Sequence, residues 1–169
     1  GVPTFKTASG KFEFKTDKVG EAGLNPVIGW IPRKVTPQSG EFAIVGGKQG
    51  IHSHTMTQNI EALHAIPREY HMERLWMAAQ DAADLGVQTG DPVEVSSSEH
   101  TGQVEVRVTQ RLKPGVVFLP THYGGDAPAQ TRAYHYGISL TDFIPLDAEP
   151  GVGSMMSQEV AVTVKKVEA

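Results

Sequence analysis

The chain has no cysteine among its 169 residues. That absence removes disulfides, thiolate metal sites, iron–sulfur ligation and cysteine nucleophiles from its own chemistry, without assigning a compartment. No run of lysine or arginine occurs. With a net charge of −4 and a pI near 6.0, the sequence carries no electrostatic footprint for nucleic acid or for an anionic membrane. No apolar run approaches the roughly 18 residues a membrane span needs. No charged, then apolar, then small-residue leader opens the sequence, so a soluble chain is expected. The opening Gly1-Val2-Pro3-Thr4 lacks an initiating methionine, which favours a piece of something larger.

What is present starts with Ile44-Val45-Gly46-Gly47-Lys48-Gln49-Gly50-Ile51-His52-Ser53-His54-Thr55-Met56-Thr57-Gln58-Asn59. A β-like run empties into glycines and then into a dense series of hydroxyl, amide and imidazole groups. Glycines allow close backbone approach to a pyrophosphate, and the following side chains supply directed donors. The pattern suits a polar, phosphate-bearing ligand and leaves its identity open.

With 39% hydrophobic residues the length accommodates one ordinary domain and its core. Residues 1–40 read as an extended arm, with strand-like pieces at Lys11 to Thr16 and Val27 to Ile31 set among turn residues. A domain over 41–169 follows. Strands are expected at Phe42 to Gly46, Arg74 to Met77, Val93 to Ser97, Gln103 to Val108, Val116 to Pro120 and Val160 to Val167. The third and fourth form a hairpin, and the wholly apolar fifth has the composition of a strand buried on both faces.

Helical spacing covers Thr57 to Ala65, ended by Pro67, and Ala78 to Leu85, stopped by Gly86, with Ala82, Ala83 and Leu85 available for burial. Residues 121–157 read as one long irregular region of functional type. About six strands without βαβ alternation predict a β-barrel, with short peripheral helices and no internal repeat.

Several arrangements compete for the chemistry. His52-x-His54 has metal-pair spacing on a strand, but no third ligand is identifiable, so hydrogen bonding to a polar ligand or loop packing is favoured. His122-Tyr123-Gly124-Gly125 follows an apolar strand at a position suited to a barrel mouth, where an aromatic cap is the structural alternative. Ser139, His135 and Asp142 lack a Gly-x-Ser-x-Gly elbow. Asp142, Asp147 and Glu149 read as solvated loop, and Met155 and Met156 as packing or pocket lining.

The motifs Thr7-x-Ser9-Gly10-Lys11-Phe12-Glu13, Gly47-Lys48, His54-Thr55-x-Thr57-Gln58-Asn59, Leu75-Trp76-Met77, Asp81-Ala82-Ala83-x-Leu85-Gly86-Val87, Gly90-Asp91-x-Val93-x-Val95-Ser96-Ser97 and Lys113-Pro114-Gly115-Val116-Val117-Phe118 occur in that order. Over nearly its whole length the chain resembles the C-terminal dinucleotide-binding domain of molybdopterin oxidoreductases of the dimethyl sulfoxide reductase type. Within that superfamily it is most similar to catalytic subunits of the thiosulfate and polysulfide reductase group.

The resemblance implies a mainly β fold, a six-stranded double-psi β-barrel, preceded by an arm from a neighbouring domain. It implies a bis(molybdopterin guanine dinucleotide) carrying molybdenum or tungsten, with the metal held mainly by dithiolene sulfurs and the protein supplying grip and orientation. By position, Lys48, His52, His54, Thr55, Thr57 and Asn59 are the implied pterin and phosphate contacts. His122, Tyr123 and Gly124 correspond to a segment closing over the cofactor from the other end of the barrel. Ser139 stands where many relatives place an asparagine, and a hydroxyl lacks the two-sided bonding of an amide.

Metal ligand and iron–sulfur cysteines lie in other domains of this family. The implied partners are those remaining domains of the catalytic subunit and an iron–sulfur electron-transfer subunit, in anaerobic respiration at the periplasmic face of the cytoplasmic membrane. No catalysis is expected of the domain alone. Arsenate, tetrathionate or formate as substrate, and a cofactor-free interaction module, are the alternatives.

Overall fold

The computed structural model describes residues 3–27, 29–149 and 153–168. These residues group into two compact units. One draws on Gly1–Arg33 and Asp147–Met156, the other on Lys34–Leu146 and Ser157–Ala169.

The smaller unit holds helix α1, Asp17–Glu21, and two isolated bridges, Lys15 with Val27 and Ala148 with Met155. The strand expected over Lys11 to Thr16 is absent, because its alternating phenylalanines find no partner strand. Phe12 instead stacks edge-on with Phe5 and Phe14. Ile28, in the piece expected over Val27 to Ile31, lies outside the described residues.

The larger unit is a barrel of six strands among the described residues: β1 Glu41–Gly47, β2 Leu75–Ala78, β3 Pro92–Ser96, β4 Thr101–Thr109, β5 Val116–Pro120 and β6 Ala161–Lys166. Alternation builds it. Val93 and Val95, Val104 and Val106, Val117 and Leu119, Leu75 and Met77, and Val162 and Val164 point inward and are buried. Fully burying one such side chain contributes roughly 1.5–3 kcal/mol. The ring order is β1-β5-β2-β4-β3-β6, closed, so no strand edge is left for a foreign chain to pair with.

Two pairs are parallel, β1 with β5 and β2 with β4, and the other four are antiparallel. Exchanging β1, β2 and β3 with β4, β5 and β6 leaves every neighbour and every direction unchanged. That twofold ring is the double-psi barrel, and its repeat lies in the pairing of the strands.

Three local differences from expectation have physical causes. Helix α2 runs Glu61–Tyr70 and continues through Pro67, whose ring is fully buried; that burial offsets the lost backbone bond, and left-handed His71 (φ 49°) ends the helix. In helix α3, Ala79–Leu85, the buried residues are Ala82 and Asp81, while Ala83 faces solvent. Strand β5 is not buried on both faces: Val116 and Phe118 look outward, and Phe118 packs on Trp76 at 5.3 Å between centroids.

Candidate functional site

The site is set by the parallel pair β1/β5. Parallel strands end on the same side, and here Gly47 is the register partner of Pro120. The Thr121 N–H donates to the Gly47 carbonyl at 3.1 Å. The loops that follow, 48–60 and 121–139, therefore leave the barrel side by side. The second does not approach from the other end of the barrel, as the resemblance implied; parallel pairing forbids it.

Close packing fixes both loops. A Cβ on Gly46 would collide with Leu140 Cδ2, and one on Gly47 would press on the Phe118 ring at 3.0 Å. These two glycines thus make room for protein side chains. Beside Gly50 the space is open. Leu140 and Phe143, both buried, belong to a 3-10 helix, Leu140–Phe143, that anchors the end of the second loop. Gly124 (φ 75°) abuts the Ile138–Ser139 backbone so tightly that any Cβ would overlap it.

Three imidazole and amine groups from the two loops meet, and a fourth, His52, packs on Tyr123 of the second loop. Lys48 Nζ lies 3.0 Å from His54 Nε2, and the His54 ring lies 5.2 Å from that of His122. His52 is buried, with its ring edge-on to Tyr123 at 5.9 Å. His54 (φ 54°) and His122 (φ 78°) both occupy the left-handed region. A non-glycine residue held there costs about 1–3 kcal/mol, a cost the surrounding loops absorb to keep these rings in place.

The decisive feature is what lacks a partner. His52 Nε2, Gln58 Nε2, Thr121 Oγ1 and His122 Nε2 are buried from solvent and make no hydrogen bond within the protein. An unsatisfied buried polar group costs about 1–3 kcal/mol, so four around one pair of loops call for a ligand rich in acceptors. Burial, then the neighbouring His64 and His122, push the His52 pKa down. Burial, then His54 and Lys48, do the same to His122. A neutral imidazole keeps one N–H to donate.

Other residues singled out from the sequence turn their polar groups inward. Thr57 Oγ1 accepts from the Ser53 N–H at 2.9 Å and sits 3.2 Å from His52 Nδ1. With the hydroxyl proton given to Nδ1, the unpartnered Nε2 becomes the donor. Asn59 Oδ1 accepts from the Arg132 N–H at 2.9 Å, clasping the second loop to the first, and Arg132 also bridges to Glu61 at 2.6 Å.

Tyr123 donates to Gln49 Oε1 at 3.4 Å, and burial followed by the Glu73 charge raises its pKa to about 12, keeping the phenol protonated. Ser139 donates to Asp142 at 3.1 Å. Thr55 is exposed and accepts through its carbonyl from Gln58 N–H. Gln58 and Thr121 join the site through the fold: Gln58 stands inside the Thr-Gln-Asn run and Thr121 adjoins His122, and their residue types alone carry no ligand signal. Among the described residues no group of three or more His, Cys, Asp or Glu is placed to hold a metal ion.

Residues 42–156 match the molydopterin dinucleotide binding domain. The chain belongs to that family. As a molybdopterin dinucleotide-binding domain it is 26% identical to the thiosulfate reductase molybdopterin-containing subunit PhsA of Salmonella typhimurium, over 90% of this chain and 20% of that protein. It is 29% identical to the F420-dependent formate dehydrogenase subunit alpha of Methanocaldococcus jannaschii, over 67% of this chain and 16% of that one. The chain thus spans about a fifth or less of these relatives, each a subunit of an oxidoreductase.

Among solved structures, acetylene hydratase from Pelobacter acetylenicus superposes with a TM-score of 0.78 at 13% identity, covering 95% of this chain and 24% of that one. This likeness concerns the fold. No helix among the described residues is long and apolar enough to cross a membrane.

Proposed function

We propose that this domain grips one flank of a bis(molybdopterin guanine dinucleotide) of molybdenum or tungsten, as the C-terminal cap of a larger oxidoreductase that reduces thiosulfate or polysulfide. The observation that carries the reading is the set of four buried, unpartnered polar atoms at the mouth of β1/β5. Their chemistry fits such a group, whose pterin and phosphates are dense in hydrogen-bond acceptors. When bound, the cofactor supplies the redox metal. The chain's own residues bind and orient.

Lys48 supplies positive charge, and His52, His54, Gln58, Thr121 and His122 supply donors, with the exposed Thr55 hydroxyl at the rim. Thr57, Asn59, Tyr123, Gly124 and Ser139 are positioning residues: each holds a loop or a ring rather than presenting a free polar group outward.

Similarity to the thiosulfate reductase subunit over 90% of the chain supports the sulfur substrate. Similarity to the formate dehydrogenase subunit supports formate as the second reading. The remaining domains of the catalytic subunit and an iron–sulfur electron-transfer subunit are the partners, in anaerobic respiration outside the cytoplasmic membrane. A chain with no cysteine cannot ligate the clusters that carry electrons, so alone it turns nothing over.

The test is anaerobic isolation of the chain with whatever polypeptide it accompanies, followed by metal and nucleotide analysis. Thiosulfate, polysulfide and formate are then assayed with reduced or oxidised viologen. Molybdenum or tungsten with guanine nucleotide in the assembly, and an inert isolated chain, are expected. Absence of guanine nucleotide from the assembly, or robust turnover by the isolated chain, overturns the reading; turnover of formate alone replaces the substrate.

A further inference from the structure

Two histidines of the site stand among positive and neutral neighbours. His52 is faced by His64 from α2, by His122 from the second loop, and by the Tyr123 phenol, which the Glu73 carboxylate also influences. His122 is faced by His54 and by Lys48, both from the first loop. Behind them His64 is faced by Arg68, Arg132 and Glu73. No carboxylate contributes to the electrostatics of His52 or His122. Each has a buried, unpartnered Nε2, and among the described residues the charged groups acting on it are imidazoles and, for His122, Lys48.

An oxyanion arriving between the loops reverses that balance. Opposite charge within about 4–6 Å favours the charged form of a titrating group, and a charged N–H donor to oxygen is roughly twice as strong as a neutral one. Lys48 already marks this place as cationic. We infer that His52 and His122 form a proton-coupled oxyanion clamp: the two rings are neutral in the free domain and take up protons as a multiply charged oxyanion binds. The inference rests on the ligand-binding reading of the same loops. It adds the ionisation that accompanies binding, and with it a preference for acid conditions.

Two anions share the required chemistry, the diphosphate of the cofactor and a sulfur oxyanion. Pyrophosphate and thiosulfate, added separately to the 169-residue chain, distinguish them. The readout is the imidazole titration of His52 and His122 by NMR, with and without about 10 mM anion, beside affinity at about pH 6 and about pH 8. Linkage of one proton changes affinity by up to about tenfold per pH unit, so pyrophosphate should bind tighter at about pH 6 than at about pH 8, by no more than about a hundredfold for each proton taken up. Both titrations should move upward.

Thiosulfate producing the larger shifts assigns the clamp to substrate instead of cofactor phosphate. His52→Gln and His122→Gln should each remove part of the proton uptake. If neither anion moves either titration in the unsubstituted chain, or if binding is equally tight at both pH values, the clamp is overturned. The cofactor reading would then still stand or fall on the nucleotide analysis of the assembly.

Discussion

The barrel's twofold topology sets two parallel pairs side by side for comparison, β1/β5 and β4/β2. Both end in register, Gly47 beside Pro120 and Ala78 beside Thr109. After β2 comes the compact, alanine-rich α3, and after β4 only the turn 110–115. The buried Asp81 of α3 accepts from the Gly115 N–H at 2.9 Å, so one segment satisfies the other. After β1 and β5 come the long loops 48–60 and 121–139, which hold four of the six unmatched buried side-chain atoms among the described residues; the other two are His64 Nδ1 on α2 and Trp76 Nε1 on β2. Equivalent frames thus carry one end that is closed on itself and one left open for a ligand. Function lies in the asymmetry, because a fold that supplies both ends cannot by itself decide which one binds.

The largest way to break this contrast is through its glycines. At the open end, Gly124→Ala places a methyl into the Ile138–Ser139 backbone and also demands a left-handed alanine. Strain and overlap together should cost about 3 kcal/mol, seen as a fall in the urea midpoint. Gly115→Ala at the closed end meets the same φ problem (81°) with nothing within 4 Å. It should cost only about 1 kcal/mol. Equal losses would mean that the loops are not wedged together as the structure has them.

A smaller effect separates stability from binding. Asp81→Ala leaves the Gly115 N–H without its acceptor, and should cost about 2 kcal/mol while leaving oxyanion binding untouched. His52→Phe keeps a ring against Tyr123 and removes an unpartnered donor. It also removes the Nδ1 partner of the Thr57 hydroxyl, which still accepts from the Ser53 N–H, so its stability should fall by only about 1 kcal/mol. Cofactor content of the assembly should nonetheless drop. A reversal, with Asp81 mattering to binding and His52 to stability, would exchange the roles of the two ends.

Much of this frame is legible in the amino-acid order, and the unread parts share a cause. Val93 and Val95 against Val104 and Val106 disclose a hairpin because inward burial repeats every second residue. The twofold escapes because it resides in who pairs with whom; each half needs only apolar inward positions, and many sequences provide them. The polar loops stand out by composition, yet composition cannot tell Thr57 from His52. Thr57 spends its hydroxyl on Ser53 N–H, and Asn59 its carbonyl on Arg132 N–H, contacts fixed by a fold that brings residue 132 to residue 59. The same long-range packing explains Pro67 within a helix, the burial of Asp81 and the leucine beside Gly46.

The smallest effect concerns pH. Burial is the first cause lowering the pKa values of His52, His64 and His122 in the folded chain. Unfolded, each titrates near about 6.5. Below that pH the unfolded chain binds more protons than the folded one, so the free energy of unfolding falls with falling pH and is level above it. The ligand-free chain should lose stability between neutral pH and about pH 5.5, each proton contributing no more than about 1.4 kcal/mol per pH unit.

The open end should own this slope. Urea midpoints of His52→Phe across the same range should fall less steeply than those of the unsubstituted chain, and midpoints of Asp81→Ala should fall in parallel with it from a lower start. A bound oxyanion should flatten or invert the slope, because pairing with it raises the very pKa values that burial lowers. If the anion leaves the slope unaltered, these imidazoles do not meet it, and the open end binds by neutral hydrogen bonds alone.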